Sequence, residues 1–186
     1  MLKYLLAIAS LVFAIPQFSV AQTAAPEASP TTSSQYCTEH GGTVQVRTPT
    51  YGTNGGTPLP LAYQRQFCDF ASPDGTTHID VLLATLVTHQ PSLAALAYYA
   101  AQQVNLSNCQ GGPGSCYCSD IGGTDEFGGI NAAGGGWVLS TNVNDVLDVC
   151  VFPDMSAIDA YGVFYHAYGI TRGQKLDHKF GFHNPY

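Results

Sequence analysis

Residues 36–43 read Tyr-Cys-Thr-Glu-His-Gly-Gly-Thr, and residues 117–124 read Tyr-Cys-Ser-Asp-Ile-Gly-Gly-Thr. The first block is followed by Cys68-Asp69-Phe70 and then Thr77-His78-Ile79-Asp80. The second is followed by Cys150-Val151-Phe152 and then Ser156-Ala157-Ile158-Asp159. A motif that recurs with its downstream companions in order marks an internal duplication. The duplication predicts a fold unit and a disulfide pattern, but it carries no chemistry of its own.

Each copy reads as helix, strand, strand, helix. In the first, Ser33 or Ser34 can cap a short helix through His40, and Gly41 suits a left-handed helix end. Thr43 to Thr48 alternates as a strand, and Tyr63 to Phe70 returns as a second strand. Pro73-Asp74-Gly75 is a turn. Thr77-x-x-Asp80 has the form of a capping box, with Ile79, Leu82, Leu83 and Leu86 at helical spacing behind it. In the second copy Ser115 caps a helix ended by Gly122, and Trp137 to Leu139 and Val146 to Phe152 are the strands. Ser156-x-x-Asp159 then caps a last helix that buries Ile158, Tyr161, Tyr165 and Tyr168. Pro91 to Val104, alanine-rich and apolar nearly all round, predicts a buried helix joining the copies.

The expected fold is therefore α+β: two disulfide-stapled α-β-β-α repeats with a pseudo-twofold relation, joined by an apolar helix. The expected organisation is a signal peptide over 1–21, a tether over 22–34, repeat one over 35–90, the linking helix over 91–108, repeat two over 109–170 and a tail over 171–186. The signal reading rests on Lys3, the short apolar run Tyr4 to Ile15 and the small residues of Ser19-Val20-Ala21, with cleavage after Ala21. That run is too short to span a membrane. A periplasmic or secreted location follows.

Six cysteines in an exported chain predict disulfides. Cys37 and Cys68 lie 31 residues apart, and Cys118 and Cys150 lie 32 apart. One bridge within each copy leaves Cys109 and Cys116 to close a short Gly-Pro-Gly loop; a pairing swapped between the copies remains open. Thirteen acids against six Lys plus Arg give a net charge of −7, and −8 once Lys3 leaves with the signal. An acidic chain argues against nucleic acid or anionic lipid as partner.

The paired cysteines, the Gly-Gly and the stretch Cys150-Val151-Phe152-Pro153-Asp154 resemble a small exported bacterial domain, domain of unknown function 333, which carries a haemolysin label. Cys68-Asp69-Phe70 with Pro73-Asp74-Gly75 is a looser match with two residues inserted. The family's Glu-Trp at the start of the second helix is replaced by Ile79-Asp80 and Ile158-Asp159. The resemblance covers about 36–87 and 117–169 and implies no active site. Nothing in the residues supports pore formation.

Of the chemical candidates, His178 and His183 in the tail form a thin His-Asp metal site without any supporting spacing. Cys116-Tyr117-Cys118 is not a Cys-x-x-Cys redox pair. Asp80 and Asp159 occupy matching places, as a carboxylate pair across the axis or simply as helix caps. No cofactor is implied. Two long, charge-poor loops at equivalent positions, Pro49 to Pro60 and Asp125 to Gly136, hold Tyr51, Phe127 and Ile130 and are the candidate binding elements. The preferred reading is an exported non-enzymatic binding protein with a protein partner in the envelope, one version being a hydrolase inhibitor. An enzyme with a site between the repeats is the first alternative. Peripheral membrane contact through Leu93 to Tyr99 is the second.

Overall fold

The computed structural model describes residues 30–55, 57–126 and 133–183. The signal segment lies outside them. The elements in chain order are α1 (Pro30–Glu39), β1 (Thr43–Tyr51), β2 (Leu59–Pro60), β3 (Arg65–Ala71), β4 (His78–Leu82), α2 (Leu83–Val87), α3 (Leu93–Ala100), α4 (Pro113–Asp120), β5 (Thr124–Glu126), β6 (Gly135–Leu139), β7 (Asn142–Leu147), β8 (Val149–Val151), β9 (Ala157–Asp159) and α5 (Ala160–Ala167). This is an α+β chain with three disulfides, Cys37–Cys68, Cys109–Cys116 and Cys118–Cys150.

The strands form one curled antiparallel sheet in the order β5-β8-β9-β4-β3-β1-β6-β7, with β2 beside β1. Residues directly opposite on neighbouring strands share a face. Cys68 faces Val81, Val81 faces Ile158 and Ile158 faces Cys150, so these four point to one side. The helices cover that side. Phe70, Ile79, Ala94, Ala95, Tyr98, Tyr117 and Val163 complete its core. The other side carries a smaller cluster of Phe67, Leu82, Trp137, Leu147, Val149, Val151 and Ala157. Gly42 and Gly123, the second glycines of the doubled motif, lie against the disulfide sulfurs. A Cβ at Gly42 would sit 2.9 Å from the Phe70 ring, and one at Gly123 would sit 2.8 Å from Cys118 Sγ. The first glycines, Gly41 and Gly122, take the left-handed conformation expected of helix ends, with φ of +80° and +90°.

Several sequence expectations are corrected. Thr77-x-x-Asp80 is not a capping box: residues 78–82 are strand β4, and the helix that follows, α2, is five residues long. Buried on both faces, this segment is held by β3 on one side and β9 on the other, which outweighs the local capping pattern. In the second copy Asp159 is itself the N-cap of α5, accepting from the Tyr161 amide. Ser156 and Asp154 instead cap α3: Ser156 Oγ accepts from the Ala94 amide and Asp154 Oδ2 from the Leu93 amide. The strand after the second Gly-Gly-Thr is β5, not Trp137 to Leu139, which belongs to the β6–β7 hairpin. The returning strand breaks at Asp148 into β7 and β8. Helix α1 begins at Pro30, inside the span assigned to the tether. Helix α3 buries Ala94, Ala95 and Tyr98 but exposes Leu93 and Leu96, so the linking helix is buried on one side only.

The tail is part of the fold. Leu176 and Phe180 are fully buried in the helix-side core. Gln174 donates to the carbonyls of Gly41 and Ala71, Lys179 to that of His40, and the Gly181 amide to Leu86 O. Residues 171–183 thus lie against the first half of the chain after its second half is complete.

Candidate functional site

The structure brings the two candidate loops together. Strand β1 runs on past Tyr51 into Gly52, whose φ of +78° turns the chain. The Gly52 amide donates to Gly134 O at 3.0 Å and the Asn54 amide to Ala133 O at 2.9 Å. Leu61 N donates back to Pro49 O, which anchors the far limb of the first loop. A Cβ at Gly134 would collide with the Asn54 side chain at 2.6 Å, so the close approach needs glycine there. Loops from distant parts of the sequence therefore form one end of the sheet.

That end presents apolar side chains to water. Tyr51 is 46% exposed, Leu59 60%, Leu61 43% and Tyr63 43%. Beneath them Trp137 is buried, with the Tyr63 ring edge-on at 5.8 Å, the Phe67 ring at 5.3 Å and the Arg65 guanidinium over it at 5.6 Å. The indole Nε1 donates to Glu126 Oε2 at 3.0 Å. From Thr48 to Gln64, and again from Phe127 to Asn144, the sequence contains no Asp, Glu, Lys or Arg. Long charge-free stretches of an acidic chain thus meet at this end, over a buried aromatic layer that Arg65 and Glu126 flank. Of the three binding candidates, Tyr51 sits in this surface; Phe127 and Ile130 lie outside the described residues. Leu59, Leu61 and Tyr63 escaped the sequence reading. Their signal was the run Pro58-Leu-Pro-Leu-Ala-Tyr63, apolar yet without helix or strand periodicity.

A second constellation lies on the side of the sheet away from the helices. Arg47 is fully buried and donates from all three nitrogens: Nε and Nη2 to Gln45 Oε1, Nη1 to Trp137 O and to Asp145 Oδ1 at 2.9 Å. Asp80, also fully buried, comes within 3.8 Å of Arg47 Nε, yet neither of its oxygens has a hydrogen-bond partner. His78 Nε2 stands 3.7 Å from Asp80 Oδ2, with its side chain 38% exposed. Asp69 is the cross-strand partner of Asp80; it accepts from Gln45 through Oδ2 and leaves Oδ1 unpartnered. Asp159 continues the row on β9. Burial pushes Asp80 well above the usual carboxylate range, against the pull of Arg47. Burial raises Asp69, Asp148 and Asp159 in the same direction. Asp125, on the helix side, is pushed up to about 6 by burial, with the Ser115 hydroxyl pulling it back. Of the Asp80–His78 pair only His78 reaches the surface; Asp80 itself is fully buried.

The remaining candidates do not assemble. His178 and His183 are exposed, and among the described residues no group of three or more His, Cys, Asp or Glu side chains is arranged to hold a metal. Gly112 and Gly114 pack under the Tyr161 side chain; a Cβ at Gly114 would lie 2.9 Å from its ring, which accounts for the glycines in the Cys109–Cys116 loop. Among the described residues no helix is long and apolar enough to cross a membrane. No protein-family model, curated protein or solved structure matches the chain.

Proposed function

We propose that this chain is an exported, non-enzymatic binding protein of the cell envelope that contacts a protein partner through the joined-loop end. The observation that carries the reading is the pairing of Gly52 and Asn54 with Gly134 and Ala133, which joins two charge-poor loops at one surface bearing Tyr51, Leu59, Leu61 and Tyr63. Exposed aromatic and aliphatic side chains on a rigid support are the usual make-up of a protein contact. Three disulfides suit an oxidising compartment outside the cytoplasm, and the signal-like segment ending at Ala21 supports export to the periplasm or beyond. The inhibitor version of this reading has the Pro49–Pro60 loop entering a hydrolase cleft.

The same reading treats the scaffold as a duplicated unit. The strand order β5-β8-β9-β4-β3-β1 reads symmetrically about the β9–β4 junction, and each side carries one long-range disulfide next to a Gly-Gly. The β6–β7 hairpin and the Thr48–Gln64 loop are then unequal insertions into the two copies. The resemblance to domain of unknown function 333 agrees with such a unit.

The test compares two baits in capture from solubilised envelope. Leu59→Glu with Leu61→Glu places charge on exposed side chains and leaves the core intact. Proteins enriched on the wild-type bait and lost on the variant support the reading; equal enrichment on both removes it. A second reading, catalysis at His78–Asp80, is favoured by their 3.7 Å approach beside the β4–β9 junction. It requires that substrate reach Asp80. A hydrolase-substrate panel run on wild type and Asp80→Asn decides it, since turnover lost in the variant is its minimum requirement.

A further inference from the structure

The sheet is joined across its middle by little. Strands β4 and β9 meet at one register pair, Val81 with Ile158, whereas β3 pairs with β4 and with β1 over five positions each. The Thr85 hydroxyl of α2 adds one further bond across the junction, to the Ala157 amide. Asp80 and Asp159 stand next to that pair on either side of the junction; Asp80 lies on the face away from the helices, while the Asp159 carboxylate reaches the start of α5.

The charges facing Asp80 come from every strand around it. They are Arg47 on β1, Asp69 on β3, His78 on β4, Asp145 on β7 and Asp159 on β9. Arg172, beyond α5, acts on Asp159 and not on Asp80. Arg47 is paired with Asp145 and directs Nε and Nη2 at Gln45, and it makes no hydrogen bond to Asp80, which Nε approaches only to 3.8 Å. Asp159 is held by the amide of Tyr161. That leaves Asp80 as a carboxyl group with no donor, no solvent and acids on two neighbouring strands. A buried carboxylate in that position is strongly unfavourable, and a neutral carboxylic acid is much less so.

We propose that the β4–β9 junction is a pH-operated seam: it is closed while Asp80 carries a proton and loosens when that proton leaves. Loss of the proton sets a negative charge against Asp69 and Asp159 across a junction of one register pair. The seam therefore tightens in acid and loosens as the medium turns alkaline, the reverse of a protein held by ionised surface carboxylates.

The direct test is hydrogen exchange on the full disulfide-bonded chain from pH 5 to pH 9, with rates corrected for intrinsic chemistry. In the wild type, protection of β4 and β9 amides falls by up to about tenfold per pH unit while the open form has lost the Asp80 proton and the closed form still holds it, and it levels off once the closed form ionises; β1 and β3 stay protected throughout. In Asp80→Asn the seam amides lose this pH dependence. Seam protection that is flat in the wild type, or equally pH-dependent in the variant, overturns the proposal. Should Asp80→Asn fail to fold, the carboxyl carbon signal of Asp80 in the wild type decides instead. A carboxyl that keeps its proton well above the usual carboxylate range is expected, and one that ionises within that range refutes the mechanism.

Discussion

Phe180→Ala tests whether the tail belongs to the core. Phe180 is fully buried, with its ring edge-on to Tyr98 at 5.8 Å and to Tyr99 at 5.7 Å. Truncating a buried Phe costs about 3–5 kcal/mol through lost burial and the cavity left behind. With a urea slope of about 2 kcal/mol per molar, the unfolding midpoint moves down by about 2 M. The probe is Trp137 fluorescence, read beside far-UV circular dichroism under conditions that keep the disulfides intact. Trp137 lies in the cluster on the opposite side of the sheet, so its transition shifts only if the tail and the sheet unfold together. Equal shifts of both signals are expected. His178→Ala, on the exposed side of the tail, serves as the control and changes stability by no more than about 0.5 kcal/mol. A loss under about 1 kcal/mol for Phe180→Ala, or a shift confined to one signal, refutes the reasoning: the tail is then an appendage.

Gly173→Ala also dislodges the tail, because Gly173 has φ +64° and a Cβ there would run into Phe70 O and, at 2.7 Å, Ile79 N; thermal melts should show a larger loss than for Gly55→Ala, where a Cβ meets nothing. Removing Cys37–Cys68 as a double serine variant costs about 3.7 kcal/mol in the loop-entropy picture, against about 2.4 for Cys109–Cys116; chemical denaturation of the two variants ranks them, and the reverse order contradicts the account. Asp125 supplies a pH prediction. Its folded value of about 6 lies above its unfolded one, so the native state keeps the proton longer, and stability is highest near pH 4 and lost as pH rises through 6. Asp125→Asn removes about 1–2 kcal/mol of that decline, the full two-unit effect being discounted for the part of the group that water reaches; melts from pH 4 to pH 8 check it.

The parts of the fold that depend on single residues were legible in the sequence. Gly41 and Gly122 announce left-handed helix ends because few other residues adopt that backbone, and cysteines at matched separations announce their bridges. The parts that depend on distant partners were hidden. His78-Ile79-Asp80-Val81-Leu82 becomes a strand because β3 and β9 flank it, and no local pattern within five residues reveals either neighbour. The capping box at Thr77 was a sound local signal overruled by pairing. Ser156 looked like the start of its own helix, yet with Asp154 it serves α3, some sixty residues earlier. Leu176 and Phe180, four apart in a polar tail, were the only hint that it would be buried. At the joined loops, Tyr51 could be picked out for its aromatic ring in a loop, but nothing in the sequence states that Gly52 meets Gly134.

The central claim, that the joined-loop end is where this protein meets its partner, is tested most directly by site-specific photo-crosslinking in intact envelopes. A photoreactive phenylalanine replaces Leu59 or Leu61 at the loop end, and Leu93, Leu96 or Met155 on the far, also exposed, apolar positions. The account predicts a discrete crosslinked species from positions 59 and 61 and none from 93, 96 and 155. Crosslinks from the α3 side, with none from the loops, contradict it.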